Sequence, residues 1–165
     1  MSEIVARGGA TGLAQRWRSA WLAGTPEAFG DCCHVDVLYE DPIEPEPLEG
    51  LAAIAAHATR LRTAFPDLRI EDAGPAIVEG SFACLPWRLV GTHRGEAGTL
   101  PASGRFLTMH GVHYLELRDG DVHRGRGFFD LYEVAVQLGL LPRRGSLGES
   151  AIMMLRGFGL LRPRA

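Results

Sequence analysis

The chain has 165 residues, 46% hydrophobic and 22% charged, a composition that suits one globular domain with a single core. A formal net charge of −3 excludes the basic surplus of a general nucleic-acid binder, and no apolar run reaches the 18 or so residues of a membrane span. All 17 basic residues are arginine, which excludes a Schiff-base lysine and a lysine-bound pyridoxal cofactor. The three cysteines, Cys32, Cys33 and Cys84, are odd in number and lack a Cys-x-x-Cys spacing, so buried reduced thiols are expected rather than a disulfide framework or a zinc site. The start, Met1 to Gly9, lacks the basic-then-apolar pattern of a secretory signal, which makes the cytoplasm the expected location. No Gly-x-Gly-x-x-Gly or phosphate loop occurs, and no cofactor is expected.

In chain order, Leu13, Trp17, Ala20, Trp21 and Gly24 recur at spacings of three and four, which predicts a helix over 11–24 with one apolar stripe. Thr25-Pro26 reads as an N-cap with proline at the first helical position, opening a short helix around Glu27–Cys33. Val35–Glu40 reads as a strand. A loop with three prolines follows, then a helix over Gly50–Phe65 with Leu51, Ile54, Ala58, Leu61 and Phe65 on one face, stopped by Pro66. Strands are predicted near 67–78, 81–93, 104–117 and 121–130, with Asp119-Gly120 as a hairpin turn between the last two. Leu131–Leu138 reads as a short helix ended by Gly139, and Ser146-Leu147-Gly148-Glu149 as a capping box opening a last helix over 147–156. The order predicts an α+β fold in which a curved antiparallel sheet wraps around N-terminal helices and leaves an apolar pocket. One domain is expected over 1–165, with a core at about 11–142 and a C-terminal helical extension over 143–165.

The candidate site starts at Tyr39-Glu40-Asp41-Pro42. Proline locks its own backbone and biases the residue before it to extended geometry, so Asp41 is pre-positioned at a strand end. In an apolar cavity, desolvation would raise its pKa toward a range useful for moving protons to and from carbon. The alternative is an aspartate that only caps a turn. His113 shares an alternating strand face with Met109, Gly111, Leu115 and Leu117, so it is expected to look inward as a proton shuttle or hydrogen-bond donor, or as a core histidine satisfied by a carbonyl. Trp17 can line the pocket and offer one N–H. His123 shares parity with Gly125 and Gly127, which places it inward and makes that strand face an enlargement of the cavity. Tyr39 and Phe129 complete the expected substrate-binding set with Trp17 and His123. The histidines show no metal-ligand spacing.

Several motifs together are similar to the nuclear transport factor 2-like superfamily, the cystatin-like cone, and within it to the SnoaL-like polyketide cyclases. They are Tyr39-Glu40-Asp41-Pro42, Ala64-Phe65-Pro66-Asp67-Leu68, Gly91-Thr92-His93-Arg94-Gly95-Glu96, Leu100-Pro101-Ala102-Ser103-Gly104-Arg105, and Phe129-Asp130 followed by Gln137-Leu138-Gly139. The stretch Glu40–Gly50 also resembles the ketosteroid isomerase segment that carries the general-base aspartate. That resemblance implies Asp41 as the base, Trp17 in place of an oxyanion-hole tyrosine, and His113 near the position of a protonated aspartate. Where the SnoaL-type cyclases and limonene epoxide hydrolase carry an aspartate, this chain has Gly127.

The reading is a cofactor-independent acid–base enzyme acting through an enolate on a hydrophobic carbonyl compound, as a polyketide-type cyclase or a ketosteroid isomerase-like isomerase. Asp41 and His113 are the expected catalytic residues. A non-catalytic cone that holds a ligand or partner is the first alternative, and an epoxide-hydrolase-like hydrolase or hydratase the second. The expected partner is a small hydrophobic carbonyl compound, without nucleic acid or membrane, and the resemblance implies a homodimer through the outer sheet face.

Overall fold

The computed structural model describes residues 9–96 and 100–157. The expectations on the N-terminal signal and on the last residues of the extension lie outside them. Helix α1, Gly9–Ala23, buries Leu13, Trp17, Ala20 and Trp21, the stripe that the spacing predicts. Helix α2, Pro26–Gly30, is capped by Thr25, whose hydroxyl accepts from the Ala28 amide at 3.3 Å. Strand β1, Cys33–Glu40, leads into the proline loop, the two-residue strand β2, Leu48–Glu49, and helix α3, Gly50–Ala64.

The predicted strand over 67–78 is two strands, β3, Arg69–Asp72, and β4, Ile77–Glu79, both paired antiparallel with β5, Phe82–Thr92. Gly74 and Pro75 lie in the break, where a continuous strand would need an amide that proline lacks. Strands β6, Phe106–Arg118, and β7, Asp121–Phe129, form the long hairpin. Its turn takes Asp119 at φ 52° and Gly120 at φ 85°, the paired positive dihedrals that match the strand twist. Helix α4, Leu131–Leu138, starts on the Asp130 side chain, which accepts from the Glu133 amide, and stops at Gly139 in the left-handed region. Helix α5, Leu147–Gly157, starts where Ser146 caps the Glu149 amide, and its side chains from Ala151 to Leu155 are exposed.

The strands form one sheet in the order β2-β1-β7-β6-β5-β3, with β4 also on β5; β1 runs parallel to β7 and the other pairs are antiparallel. The fold is the expected α+β one, an unclosed curved sheet holding α1, α2 and α3 on its concave face. No helix among the described residues is long and apolar enough to cross a membrane. Two apolar clusters fill the concavity. One joins Trp17, Trp21, Phe29 and Tyr39 to Leu115 and Val122; the other joins Phe65, Trp87, Leu89, Leu107 and Met109 to Leu138. Each such side chain removed from water contributes roughly 1.5–3 kcal/mol before chain entropy is counted.

Candidate active site

Strand β1 ends where Asp41 turns its side chain back over the loop. The Asp41 Oδ1 atom accepts from the amides of Ile43 at 2.8 Å and Glu44 at 3.2 Å, a turn that Pro42 stiffens. The Asp41 Oδ2 atom lies 2.8 Å from His57 Nε2 on α3, and His57 Nδ1 lies 2.8 Å from Glu44 Oε1. A doubly protonated imidazole is the form that donates from both nitrogens to two carboxylates at once. Arg60, one turn further along α3, donates to Glu44. Side-chain exposure rises along this line, from 3% at Asp41 and 2% at His57 to 20% at Glu44 and 53% at Arg60. The line therefore runs from the interior to the surface.

Burial pushes the Asp41 carboxyl up, but the hydrogen bond and charge of His57, with the two amide donors, outweigh it and hold the carboxyl below its ordinary value. This is opposite to the raised value expected for a carboxylate in a dry pocket. The burial is foreseeable from the sequence, whereas the three donors arise only from the folded loop and α3.

Inward of Asp41 a second polar line crosses the apolar core. Trp17 Nε1 donates to His113 Nδ1 at 3.1 Å, and His113 Nε2 lies 3.3 Å from the Tyr39 hydroxyl. A ring that accepts at Nδ1 carries its proton on Nε2, so His113 donates to Tyr39. Burial pushes His113 down to about 3, which keeps the ring neutral at physiological pH. Tyr39 is raised well above its ordinary value by burial and then by the neighbouring Asp41 carboxylate, so it remains a neutral phenol beside that carboxylate. His113 packs against both Trp21 and Trp87, with ring centroids 5.6 and 5.3 Å away and interplanar angles of 15° and 30°.

The structure brings Trp17, Tyr39, Asp41, His113 and Phe129 together. Tyr39, Asp41, His113 and Phe129 line one small cavity of about 30 Å³, and Trp17 supports it from behind. His123 stays outside it. The pairing register skips from Glu116–Arg124 to Leu117–Val122, and this bulge reverses the parity so that Val122 is buried and His123 packs beside His34. The glycines of β7 do not enlarge the cavity. A Cβ on Gly127 would lie 2.6 Å from the Tyr39 hydroxyl and 3.2 Å from Asp41 Cβ, and one on Gly125 would lie 3.1 Å from Tyr39 Cδ2 and 3.3 Å from Trp17. They make room for aromatic side chains.

Sequence reasoning missed His57. Its one signal was position: it follows Ile54 by three residues and precedes Leu61 by four, which puts a titratable side chain in the apolar stripe of α3. Among the described residues no His, Cys, Asp and Glu side chains gather into a metal-binding group.

The small cavity shares Ile43, Leu61, Leu89 and Met109 with a larger apolar chamber of about 400 Å³, closed on one side by Leu131, Val134 and Leu138 of α4. A curved sheet around helices, with a buried carboxylate at the edge of an apolar chamber, is the cone of the nuclear transport factor 2-like proteins. The chain belongs to the SnoaL-like polyketide cyclase family, whose sequence profile matches residues 11–138. It is 28% identical over 134 residues to aklanonic acid methyl ester cyclase DnrD of Streptomyces peucetius, covering 77% of this chain and 88% of that protein. Among solved structures it resembles TsrD from Streptomyces laurentii, with a TM-score of 0.68, 26% identity and coverage of 78% of this chain and 93% of that one. It also resembles a Catenulispora acidiphila protein of ketosteroid isomerase-like fold, with a TM-score of 0.65, 18% identity and coverage of 78% and 92%.

Proposed function

We propose that this chain is a cofactor-independent cyclase or isomerase that works through an enolate of a hydrophobic carbonyl compound. The observation that carries the reading is the ionised Asp41 carboxylate set beside a phenol donor in the wall of an apolar cavity. In the reaction, Asp41 takes a proton from the carbon next to a carbonyl, and the C–H electron pair moves into the enolate. The neutral Tyr39 hydroxyl, beside Asp41, donates to the enolate oxygen. His113 stays neutral behind Tyr39 and supports it through the Nε2 hydrogen bond, with Trp17 fixing the tautomer. The enolate carbon then attacks a second carbonyl, which closes a ring, or is reprotonated at another carbon, which moves a double bond.

The similarity to aklanonic acid methyl ester cyclase supports a polyketide ester as substrate. Solvent deuterium uptake at the carbon next to a carbonyl of aklanonic acid methyl ester, read by mass spectrometry above the spontaneous rate, tests the reading. Asp41→Asn should slow uptake by about 10²- to 10⁴-fold, the usual contribution of a general base. Full uptake by Asp41→Asn would remove Asp41 from the mechanism.

One observation favours the ligand-holding alternative. A carboxylate held below its ordinary value is a weaker base, and its donors fix it as an acceptor. Under that alternative the same compound binds to the wild-type chain without any uptake.

A further inference from the structure

Helix α5 and the turn that leads into it take no part in the site described above. Ile152, Met153, Met154 and Leu155 are consecutive on α5 and between 42% and 63% exposed. Consecutive side chains on a helix point about 100° apart, so this turn of α5 lays no face against the domain. A single exposed apolar side chain is ordinary, whereas a contiguous set marks an interaction surface. In the turn before α5, Arg143 and Arg144 join Arg105 in the lining of a pocket of about 290 Å³ on the outer side of α4. We propose that α5 and this pocket together form a docking surface for a membrane of anionic lipid.

The first argument is charge. Five other arginines pair with carboxylates, but Arg105, Arg143 and Arg144 have no such partner among the described residues. Glu133, the one acid in the pocket wall, already accepts from the Gln137 amide at 3.0 Å. The pocket is held in shape. The Tyr132 hydroxyl donates to the Pro142 carbonyl at 3.1 Å, and the Arg144 guanidinium sits over the Tyr132 ring, 4.7 Å from its centroid. Gly139 leaves the space that Arg105 takes, since a Cβ there would lie 2.7 Å from Arg105 Cζ. The bias continues in the sequence: over 143–165, Arg143, Arg144, Arg156, Arg162 and Arg164 face one acid, Glu149, a side-chain charge of +4 in a chain of −3. Guanidinium forks suit phosphate oxygens, and a basic patch with an apolar helix supplies the two signals that hold a protein on an anionic surface. The second argument is against a second copy of the chain as the occupant. A two-fold contact through α5 would set the same basic patch of each copy against the other. The expectation of no membrane partner came from the lack of an apolar run long enough to span, and a helix that lies in the surface needs no such run.

The use of such a surface rests on the proposed function, because a hydrophobic substrate concentrates in lipid. The binding itself does not, so Asp41→Asn should bind membranes like wild type while it loses deuterium uptake. The experiment is co-sedimentation of the full chain with vesicles of phosphatidylglycerol mixed with phosphatidylcholine, against phosphatidylcholine alone, at low and high salt. The chain should bind the mixed vesicles and not the neutral ones, and salt should weaken the binding. Arg143→Gln with Arg144→Gln should weaken it about thirtyfold, about fivefold for each arginine, and flatten the salt dependence. Met153→Gln with Met154→Gln should weaken it about tenfold or more and leave the salt dependence in place. All four side chains are exposed, so both variants should keep the wild-type denaturation midpoint. No binding to mixed vesicles at low salt, equal binding to neutral ones, or undiminished binding by both variants would each overturn the proposal. Equally tight binding to soluble polyglutamate would overturn it in favour of an acidic protein. Self-association of wild type that Met153→Gln with Met154→Gln abolishes would overturn it in favour of a second copy.

Discussion

Between α1 and strand β7 the interior is filled by aromatic rings, whereas between α3, α4 and the same sheet about 400 Å³ stays empty. The filled half depends on absent side chains. Gly125 and Gly127 on β7 let Trp17 and Tyr39 approach the backbone, and the space becomes a rigid mount for His113 and the Tyr39 hydroxyl. The open half is lined by ordinary apolar side chains, among them Leu107, Met109, Val134 and Leu138. The polar residues stand at the boundary. A site that must hold a carboxylate, a phenol and an imidazole in fixed order is built against the filled half and faces the open one.

The largest effect expected from the filled half is on acid stability. His113 titrates at about 3 when folded and at about 6.5 when unfolded. Between these values the unfolded chain holds a proton that the folded chain refuses. The stability is complete above the unfolded value and falls with pH at about 1.4 kcal/mol per pH unit through that window. Urea denaturation at pH 7, 6, 5 and 4 should show this slope, and His113→Gln should flatten it. The same slope in the variant would assign the proton to another group. Next in size is Gly127→Ala, which adds a single methyl group at a position 2.6 Å from the Tyr39 hydroxyl. Overpacking of this kind should destabilise by about 2 kcal/mol, seen as a lower denaturation midpoint. An unchanged midpoint would mean that the mount is soft.

Much of this division was visible in the sequence. The stripe Leu13-Trp17-Ala20-Trp21, the Thr25-Pro26 cap, the Asp119-Gly120 turn and the inward face of His113 follow from periodicity and local backbone chemistry, and all lie where those rules put them. The place of Asp41 at a strand end was legible for the same reason. His57 was not, because its role comes from the loop over 42–48 folding Glu44 and Asp41 onto one ring of α3, a contact between segments that no local pattern encodes. His123 failed because parity assumes an unbroken strand, and one bulged residue inverts it. The β7 glycines were read as empty space because the sequence does not say which neighbour comes to fill it.

A smaller effect tests the boundary itself. His57 is one of the groups that hold Asp41 low, and His57→Gln removes its charge and replaces its donor geometry while burial of the carboxyl remains. The Asp41 carboxyl should then rise. A carboxylate base loses activity as pH falls through its pKa, so the acid limb of the kcat/KM profile for deuterium uptake should move to higher pH. A purely structural His57 would lower the rate at every pH and leave the limb in place.

The smallest effect on stability is expected in the open half. Ala135 lies on α4 in the wall of the large chamber. Ala135→Phe adds a whole phenyl ring, and its helix-propensity penalty stays under about 0.7 kcal/mol. The ring enters existing space and gains apolar contact, which offsets that penalty, so the unfolding free energy should stay within about 0.5 kcal/mol of wild type. Binding should change instead, with a raised KM for polycyclic substrates and little change in kcat, because Asp41 and Tyr39 are untouched. The contrast with Gly127→Ala is the discriminating result: a ring added to the open half is tolerated and a methyl added to the filled half is not. A loss of stability from Ala135→Phe comparable with that from Gly127→Ala would show that the large chamber closes in solution.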